Sequence, residues 1–237
     1  MVDEALRDLV LANRVLAYHG VLDAFGHVTI RHPERPDRYF MSCSRGPAAV
    51  TREDIIEFTL DSEPIDQNGR AMYAERPIHG RVYQARPDVQ AVCHNHSPAT
   101  IPFGVSDEPL RPIFHMGSVI GKHVPVWDIA AEFGATNLLV TTAAMGASLA
   151  KTLGDGRVVL MRGHGSTVAG RTLRELAFTT VYLQKNAELA TVARGFRNPR
   201  YLSDDEIDLA ATLLSEPLSQ NRAWEDWIKR LERDGMA

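Results

Sequence analysis

The stretch AVCHNHSPAT, residues 91–100, places two histidines on either side of one asparagine, directly after an apolar run. Successive side chains of a strand point to opposite faces of the sheet, so residues i and i+2 share a face. If residues 88–96 form a strand, His94 and His96 lie side by side on one face. This geometry suits two ligands of one metal ion, and it also suits two surface histidines at a strand end.

The composition is that of a globular protein, with 237 residues, 44% of them hydrophobic, and a net charge of −4. The length suits one large domain or a domain with an appendage. The slight acidity gives no reason to expect nucleic acid or an anionic membrane as a partner. The two cysteines, Cys43 and Cys93, form no CxxC pair, and the start lacks the pattern of a signal peptide. We therefore expect a cytoplasmic protein without structural disulfides and without a membrane span.

Hydrophobic periodicity predicts helices and strands that are mixed along the whole chain. The helical pattern covers residues 3–20, 75–88, 97–104, 137–154, 172–193, 203–215 and 222–235. The strand pattern covers residues 26–32, 38–44, 57–61 and 89–96, with two more strands around a turn within 157–170. This order predicts a layered α/β fold with a largely antiparallel sheet. We expect a catalytic domain over residues 1–200 and a helical appendage over 201–237.

Two further features accompany the histidine pair. His164 lies between glycines in RGHGSTVAG, at a turn where the backbone can approach a bound group closely. Glu75 begins the helix that precedes the histidine strand. Three neutral imidazoles and one carboxylate form a sensible ligand set for zinc, manganese or iron(II). The alternative is that His94 and His96 lie at a hydrated strand end and His164 caps a turn.

Residues 5–200 resemble the class II aldolase/adducin family, typified by fuculose-phosphate aldolase. The resemblance rests on YHG…GHVTIR, SCSRG, AERPIHGRVYQARPDVQAVCHNH, and RGHGSTVAG followed by a long helix. It implies that His94, His96 and His164 are metal ligands. It implies that Glu75 is the fourth ligand and acts as acid or base once substrate displaces it. The implied fold is a three-layer arrangement with a mainly antiparallel central sheet between helices, in a ring-like homotetramer with sites between subunits.

The chain departs from the sugar-phosphate aldolases at the positions that would recognise phosphate. Tyr73 and Ala74 replace their small hydroxyl residues before the glutamate, Ser42-Cys43-Ser44-Arg45 replaces their Thr-x-Thr-Gly turn, and His27 replaces the asparagine of their Gly-Asn pair. These changes argue against a phosphate ester. The guanidinium of Arg45 instead suits a carboxylate. The candidate substrate-binding residues are Arg45, His27, Ser42 and Ser44, and the alternative for Arg45 is a surface ion pair with Glu53 or Asp54.

The pattern GHVTIRHP…SCSR…VTREDI is similar to a branch of the family that decarboxylates hydroxylated aromatic acids, such as hydroxymethylpyridine-dicarboxylate and dihydroxyphthalate. The tail NRAWEDWIKRL is also similar to that branch. We therefore interpret the chain as a lyase dependent on Mn²⁺ or Zn²⁺ that decarboxylates a small hydroxylated aromatic or pyridine carboxylate in a catabolic pathway. Aldol cleavage and decarboxylation both leave electrons on carbon, and a metal on the neighbouring oxygen would stabilise that charge as an enolate.

Glu75 is the first candidate for proton transfer, and His115 in IFHMGS is the second. His115 falls roughly where the aldolases carry a tyrosine that reaches into a neighbouring site, and its alternative is a structural role at a strand end. His79, four residues after Glu75, either orients Glu75 or packs in the core. Two other functions stay open, namely an aldolase for a non-phosphorylated or carboxylate-bearing hydroxyketone, and a non-catalytic adducin-like scaffold.

Overall fold

The computed structural model describes residues 1–236, and a seven-stranded sheet runs through its centre. The strands are β1 (His27–Arg31), β2 (Arg38–Ser42), β3 (Ile55–Thr59), β4 (Ala91–Asn95), β5 (Val126–Trp127), β6 (Val158–Met161) and β7 (Gly165–Gly170). Their spatial order is β3-β2-β1-β4-β7-β6-β5. The histidine strand β4 therefore lies at the centre, between β1 and β7.

The sheet is mixed, which corrects the prediction of a mainly antiparallel sheet. The pair β5–β6 is parallel, whereas the other five neighbouring pairs are antiparallel. The short strand β5 had no recognisable pattern in the sequence. Two helices separate it from β6, and such a crossover returns the chain to the same end of the sheet, so the two strands run in the same direction.

Within the described residues 1–236, eight α-helices surround the sheet. They are α1 (Val2–Tyr18), α2 (Arg76–Ala85), α3 (Ile101–Gly104), α4 (Ile129–Phe133), α5 (Ala143–Leu153), α6 (Leu173–Ala193), α7 (Asp204–Leu214) and α8 (Pro217–Arg233). Short 3₁₀ turns occupy residues 47–49, 52–54 and 115–120. Most predicted helices are confirmed, but α5 begins at Ala143 rather than at residue 137. Thr142 caps its N-terminus, because the Thr142 hydroxyl accepts the Met145 N–H.

Strand alternation divides the buried apolar residues between the two faces of the sheet. On one face, Val28 and Cys93 pack with the apolar sides of α1, α6 and α8. On the other, Met41 and Val92 pack with α2 and α5. Helices thus cover both faces of the sheet, as the α/β prediction requires.

The C-terminal helices pack against the same core. Trp224, Trp227 and Leu231 of α8 are buried in the cluster that contains α1 and α6, while α7 packs against residues 115–120. The division at residue 200 into a catalytic domain and a helical appendage stays a prediction. Ala237, the last residue of the predicted appendage, lies outside the described residues. Among the helices of residues 1–236, none has the length and apolar composition that a bilayer crossing requires.

Candidate metal centre

The two histidines of the opening stretch lie where β4 leaves the sheet. His94 is the fourth residue of β4, and His96 follows directly after its last residue, Asn95. Gly165 begins the adjacent strand β7, and a Cβ at this position would lie 2.1 Å from the backbone oxygen of Asn95. Only glycine permits this approach. It places the preceding residue, His164, beside the end of β4.

The structure brings Glu75, His94, His96 and His164 together. One ligand atom from each lies within 4.8 Å of the others. The Nε2 atoms of His94 and His96 are 3.0 Å apart, and Glu75 Oε2 lies 3.5 Å from the Nε2 of both His94 and His164. Glu75 and His94 are buried, while His96 and His164 are partly exposed. The four residues predicted as ligands therefore converge on one point at the edge of the protein interior.

The outer nitrogen of each imidazole faces an acceptor oxygen. The Nδ1 of His94 lies 3.2 Å from the Ser166 carbonyl oxygen, and the Nδ1 of His164 lies 3.0 Å from that of Leu138. The Nδ1 of His96 lies 3.1 Å from both carboxylate oxygens of Asp23. Because carbonyl and carboxylate oxygens only accept, each Nδ1 carries the proton.

This tautomer leaves three Nε2 lone pairs and one carboxylate oxygen pointing at one another. The 3.0 Å contact between His94 and His96 then has no proton to share, so it needs a cation between the rings to be favourable. Ligating histidines commonly donate their other N–H to a carboxylate or a carbonyl in this way. The donor set thus fits a divalent metal ion of the zinc or manganese type.

The segment before α5 holds two members of the cluster. Val140 N–H donates to Glu75 Oε1 at 2.8 Å, and the Leu138 carbonyl oxygen accepts from His164. Leu138 has φ 69°, in the left-handed region that a branched side chain disfavours, and such strain often occurs at functional sites. Periodicity predicts a helix over residues 137–154, whereas residues 137–142 are irregular in the structure. A helix would satisfy these backbone groups internally, whereas the irregular segment leaves them free for the site.

The electrostatics of the cluster favour a negative Glu75. Burial by itself would raise the pKa of Glu75, but its contacts with His164 and His94 outweigh burial and lower the pKa far below the usual range. Burial lowers the pKa of His94. Burial also opposes protonation of His164, but the Glu75 carboxylate outweighs it and raises the pKa of His164. The carboxylate thus remains ionised at neutral pH.

Sequence reasoning missed Asp23. It lies in the loop between α1 and β1, where Oδ1 also accepts the backbone N–H groups of Phe25 and Gly26 at 2.9 Å. These bonds fix the carboxylate that faces His96. The local signal is an aspartate three residues before Gly26 in a short loop, but nothing in the sequence connects that loop with residue 96.

His27 lies next to the cluster. It is the Cα partner of His94 across the β1–β4 pair, and the two rings are 5.2 Å apart. Its Nδ1 contacts Nε2 of His79 at 2.7 Å, while Nδ1 of His79 contacts Thr29 Oγ1 at 2.8 Å. Both ring nitrogens of His79 are therefore engaged away from Glu75. Burial lowers the pKa of His79 to about 3.

The loop after β2 carries the other predicted substrate-binding residues. The Nε of Arg45 lies 3.4 Å from Asp54 Oδ1, so the predicted ion pair is present, with the arginine side chain half exposed. Tyr73 donates to the Arg45 carbonyl oxygen, and its ring lies 4.5 Å from the His27 ring. Tyr73 thereby anchors this loop beside His27. Ser44 is exposed, whereas Ser42 is buried at the end of β2.

His115 lies outside the four-residue cluster. It is the first residue of the 3₁₀ turn 115–120, which packs against α6 and α7, and its side chain is exposed. The structure therefore shows the residue at the surface of a single copy of the chain. A role in catalysis stays a prediction that depends on a neighbouring subunit.

Known proteins are similar to this chain in sequence and in fold. The chain is 32% identical to the protein named decarboxylase tropJ of Talaromyces stipitatus, over 98% of this chain and 95% of that protein. It is 28% identical to the 3,4-dihydroxyphthalate decarboxylase of Arthrobacter keyseri, over 77% of this chain and 75% of that enzyme. The crystal structure of an aldolase II superfamily protein from Pseudomonas syringae superposes with a TM-score of 0.82 at 21% identity, covering 98% and 94% of the two chains.

The family assignment follows from the length of the match. The sequence-family model of the class II aldolase and adducin N-terminal domain matches residues 7–191 of this chain. These residues contain all seven strands and the four clustered side chains. The resemblance inferred from the motifs is therefore confirmed. The chain belongs to the class II aldolase and adducin family.

Proposed function

We propose that this protein is a divalent-metal-dependent lyase that decarboxylates a hydroxylated aromatic or pyridine carboxylate. The observation that carries the proposal is the convergence of Glu75 and the three Nε2 lone pairs within 4.8 Å. The decarboxylases among its relatives support the reaction type. A non-catalytic scaffold has no need for such an ordered donor set.

The chemistry requires an electron sink and a proton. Loss of carbon dioxide breaks a carbon–carbon bond and leaves its electron pair on the ring carbon. A divalent ion at the site would act as a Lewis acid toward the substrate oxygen beside that carbon. The ring carbon must then receive a proton to complete the reaction.

Glu75 is the residue that we propose for this proton transfer. Its Oε1 is held by Val140 N–H, while its Oε2 faces the cluster. As an ionised carboxylate, it can take the proton of the substrate hydroxyl on binding and return it to the ring carbon after the carboxylate has left. The product oxygen regains a proton from solvent, so the protons balance.

Arg45 and His27 are the proposed partners of the substrate's carboxylates. Arg45 lies on the loop that Tyr73 anchors, and His27 lies across the strand pair from His94. The guanidinium suits bidentate contact with a carboxylate. We also propose Mn²⁺ or Zn²⁺ as the metal, a homotetramer with sites between subunits, and a cytoplasmic location; these follow from the family resemblance and the sequence pattern.

The test is carbon dioxide release from a panel of hydroxylated benzene and pyridine carboxylates, with added Zn²⁺ or Mn²⁺ and an EDTA control. We expect metal-dependent release from at least one member. Glu75→Gln keeps the Val140 contact but removes the proton carrier, so kcat falls by about 10²–10⁴. His123→Gln, at an exposed histidine, is the matched control and keeps full activity.

Two outcomes would contradict the proposal. Undiminished release after metal removal would exclude the metal role. Carbon dioxide from no member, together with an aldehyde product from a panel of non-phosphorylated hydroxyketones, would assign the aldolase activity instead.

A further inference from the structure

The loop after β2 is held along its whole backbone. Residues 43–45 donate their three N–H groups, in order, to the Asp54 carbonyl oxygen at 2.7 Å, the Ala71 carbonyl oxygen at 2.8 Å and the Tyr73 hydroxyl at 3.3 Å. A loop whose N–H groups are all bound within the protein has little freedom to move. Its last residue, Arg45, nevertheless has a half-exposed side chain. The loop thus presents a charged group from a fixed backbone.

Tyr73 connects this loop to the metal cluster. Its hydroxyl accepts the Arg45 N–H and donates to the Arg45 carbonyl oxygen, and each of these partners permits only one direction. The Tyr73 ring is buried and lies 4.5 Å from the ring of His27, which pairs with His94 across β1 and β4. Glu75 follows two residues later in the chain. One side chain therefore fixes the backbone of Arg45 relative to the cluster.

The guanidinium of Arg45 is held at one of its three nitrogens. Nε lies 3.4 Å from Asp54 Oδ1, while Asp54 Oδ2 accepts the N–H and the hydroxyl of Thr51 at 2.9 and 3.0 Å. Nη1 and Nη2 form no hydrogen bond among residues 1–236. The planar fork of an arginine matches the two oxygens of a carboxylate. The arginine is therefore oriented at its inner nitrogen and open at its outer pair.

We propose that Tyr73 is a positioning residue that holds Arg45 for a second carboxylate of the substrate, so that the site selects dicarboxylates over monocarboxylates. The inference rests on the proposed function, because it takes the first carboxylate to lie at the metal cluster. Tyr73 acts through Arg45, since its hydroxyl proton is donated to the Arg45 backbone.

Prior ordering makes this arginine selective. A flexible arginine loses rotamer freedom when it binds an anion, and that loss weakens binding. In this loop the backbone is ordered beforehand, and Asp54 already directs Nε. The Asp54 carboxylate also offsets the charge of the guanidinium at longer range. Recognition therefore depends on the geometry of the two outer nitrogens rather than on a general attraction for anions.

The test is calorimetric titration of the zinc-loaded protein with phthalate and with benzoate. Neither probe carries the hydroxyl group that the proposed reaction needs, so binding is measured without turnover. We expect the wild type to bind phthalate at least tenfold more tightly than benzoate, and Arg45→Gln to lose that preference. Tyr73→Phe keeps the ring beside His27 but removes the hydroxyl. It should weaken phthalate binding about threefold to tenfold, with benzoate and zinc binding unchanged.

A double variant separates positioning from a structural effect. Because Tyr73 acts through Arg45, Tyr73→Phe should have no further effect on phthalate binding in the Arg45→Gln background. Tyr39→Phe, at another buried tyrosine whose hydroxyl donates to Ser62, is the control and leaves both dissociation constants unchanged.

Three outcomes would overturn the inference. A lower Tm in Tyr73→Phe with an unchanged ratio of phthalate to benzoate affinity would show that Tyr73 only stabilises the fold. A wild type that binds the two probes equally, or an Arg45→Gln variant that still prefers phthalate, would exclude the second-carboxylate site. These last two results are decisive even if Tyr73→Phe does not fold.

The two proposals fail in distinguishable ways. Binding of the probes requires no reaction. A phthalate preference that depends on Arg45 and Tyr73, alongside a failed substrate panel, would therefore keep the dicarboxylate site and reject the decarboxylase. Carbon dioxide release from the panel without any phthalate preference would keep the decarboxylase and reject the dicarboxylate site.

Discussion

The tautomer of each imidazole in the cluster is set by the oxygen atom that its Nδ1 contacts. Two of the three oxygens are backbone carbonyls, of Ser166 and Leu138, and the third belongs to the Asp23 carboxylate. The carboxylate differs because it carries a charge that would make His96 a stronger metal ligand. Among the outer partners of the three histidines, Asp23 is therefore the one that a single substitution can test.

Asp23→Asn should weaken metal binding about 10- to 100-fold, because it removes the charge while the amide oxygen can still accept the Phe25 and Gly26 N–H groups. The measurement is competition with a fluorescent zinc chelator. Asp37→Asn, at a side chain that is 76% exposed, provides the control. Equal zinc affinity in Asp23→Asn and the wild type would show that His96 does not need the carboxylate.

Arg45→Gln should raise KM for a dicarboxylate by about tenfold or more, since a charge-assisted hydrogen bond contributes about 1.5–3 kcal/mol. Metal affinity should not change. The side chain is 47% exposed, so folding does not depend on it. Arg52→Gln, at a similarly exposed arginine that pairs with Asp3, is the control. An unchanged KM would show that Arg45 does not bind the substrate and only forms the surface ion pair with Asp54.

At the scale of elements, Arg31 joins β1 to the end of α2. Its buried guanidinium donates to the carbonyl oxygens of Tyr83 and Arg86, at the C-terminal end of α2, and to those of Val89 and Pro36. Helix C-termini leave carbonyl groups without internal partners and attract positive charge. This joint sets the position of α2 and hence of His79, which contacts His27 from that helix.

Arg31→Met should lower the free energy of unfolding by about 3 kcal/mol, because it leaves several buried carbonyl oxygens without donors. Urea denaturation measures the loss. Arg38→Met, on the neighbouring strand, removes the partly exposed pair with Glu57 and should cost at most about 1 kcal/mol. Equal losses in the two variants would contradict the role of Arg31 as a joint.

The contact between α1 and α8 introduces a pH dependence of stability. His19 follows α1 and packs against Trp227, with rings 5.0 Å apart, and its Nε2 is buried without a hydrogen-bond partner among residues 1–236. Burial, followed by the charges of Lys185 and Arg230, lowers the pKa of His19 to about 4. The Asp226 carboxylate opposes this shift only weakly.

Between about pH 6.5 and pH 4 the unfolded chain therefore binds a proton at His19 that the folded protein does not. The stabilising contribution is complete above about pH 6.5 and is lost as the pH falls. We expect the free energy of unfolding to drop less between pH 7 and pH 5 in His19→Gln than in the wild type. His123→Gln should behave like the wild type, and an identical drop in all three would refute the role of His19.

At the scale of the whole molecule, the cluster joins three distant parts of the chain. Glu75 precedes α2, His94 and His96 end β4, and His164 lies in the turn before β7. A ligand that binds only the folded protein stabilises it in proportion to the logarithm of its concentration. An ion held by these residues would therefore act as a crosslink between the sheet and its surroundings.

Metal removal should lower Tm by roughly 5–10 °C, given about 2.7 kcal/mol of stabilisation at a hundredfold excess over Kd and about 2–4 °C per kcal/mol for a chain of this size. The measurement is calorimetry with zinc and after dialysis against EDTA. His164→Ala should show almost no shift on either treatment. A wild type that is equally insensitive would mean that the cluster binds no metal in solution.

Short-range patterns in the sequence determined most of the secondary structure and the residues of the candidate metal site. Apolar spacing predicted α1, α6 and six of the seven strands, because burial of one face imposes the period of the element. The Glu, HxH and GHG motifs predicted the four residues that converge, because ligand chemistry depends on residue type and i, i+2 spacing on one strand. Sequence could also place Arg45 on a loop, with an ion pair to Asp54 as one of its alternatives.

Only the tertiary structure decided how those residues are held. The partner of His96 is 73 residues away, that of His79 is His27, 52 residues away, and residues 138–140 leave the predicted helix to bind Glu75 and His164. Strand β5 likewise pairs in parallel with β6, which it reaches only through the crossover formed by α4 and α5. These contacts escape sequence reasoning because a hydrogen bond depends on distance in space, and spacing along the chain fixes that distance only within one element.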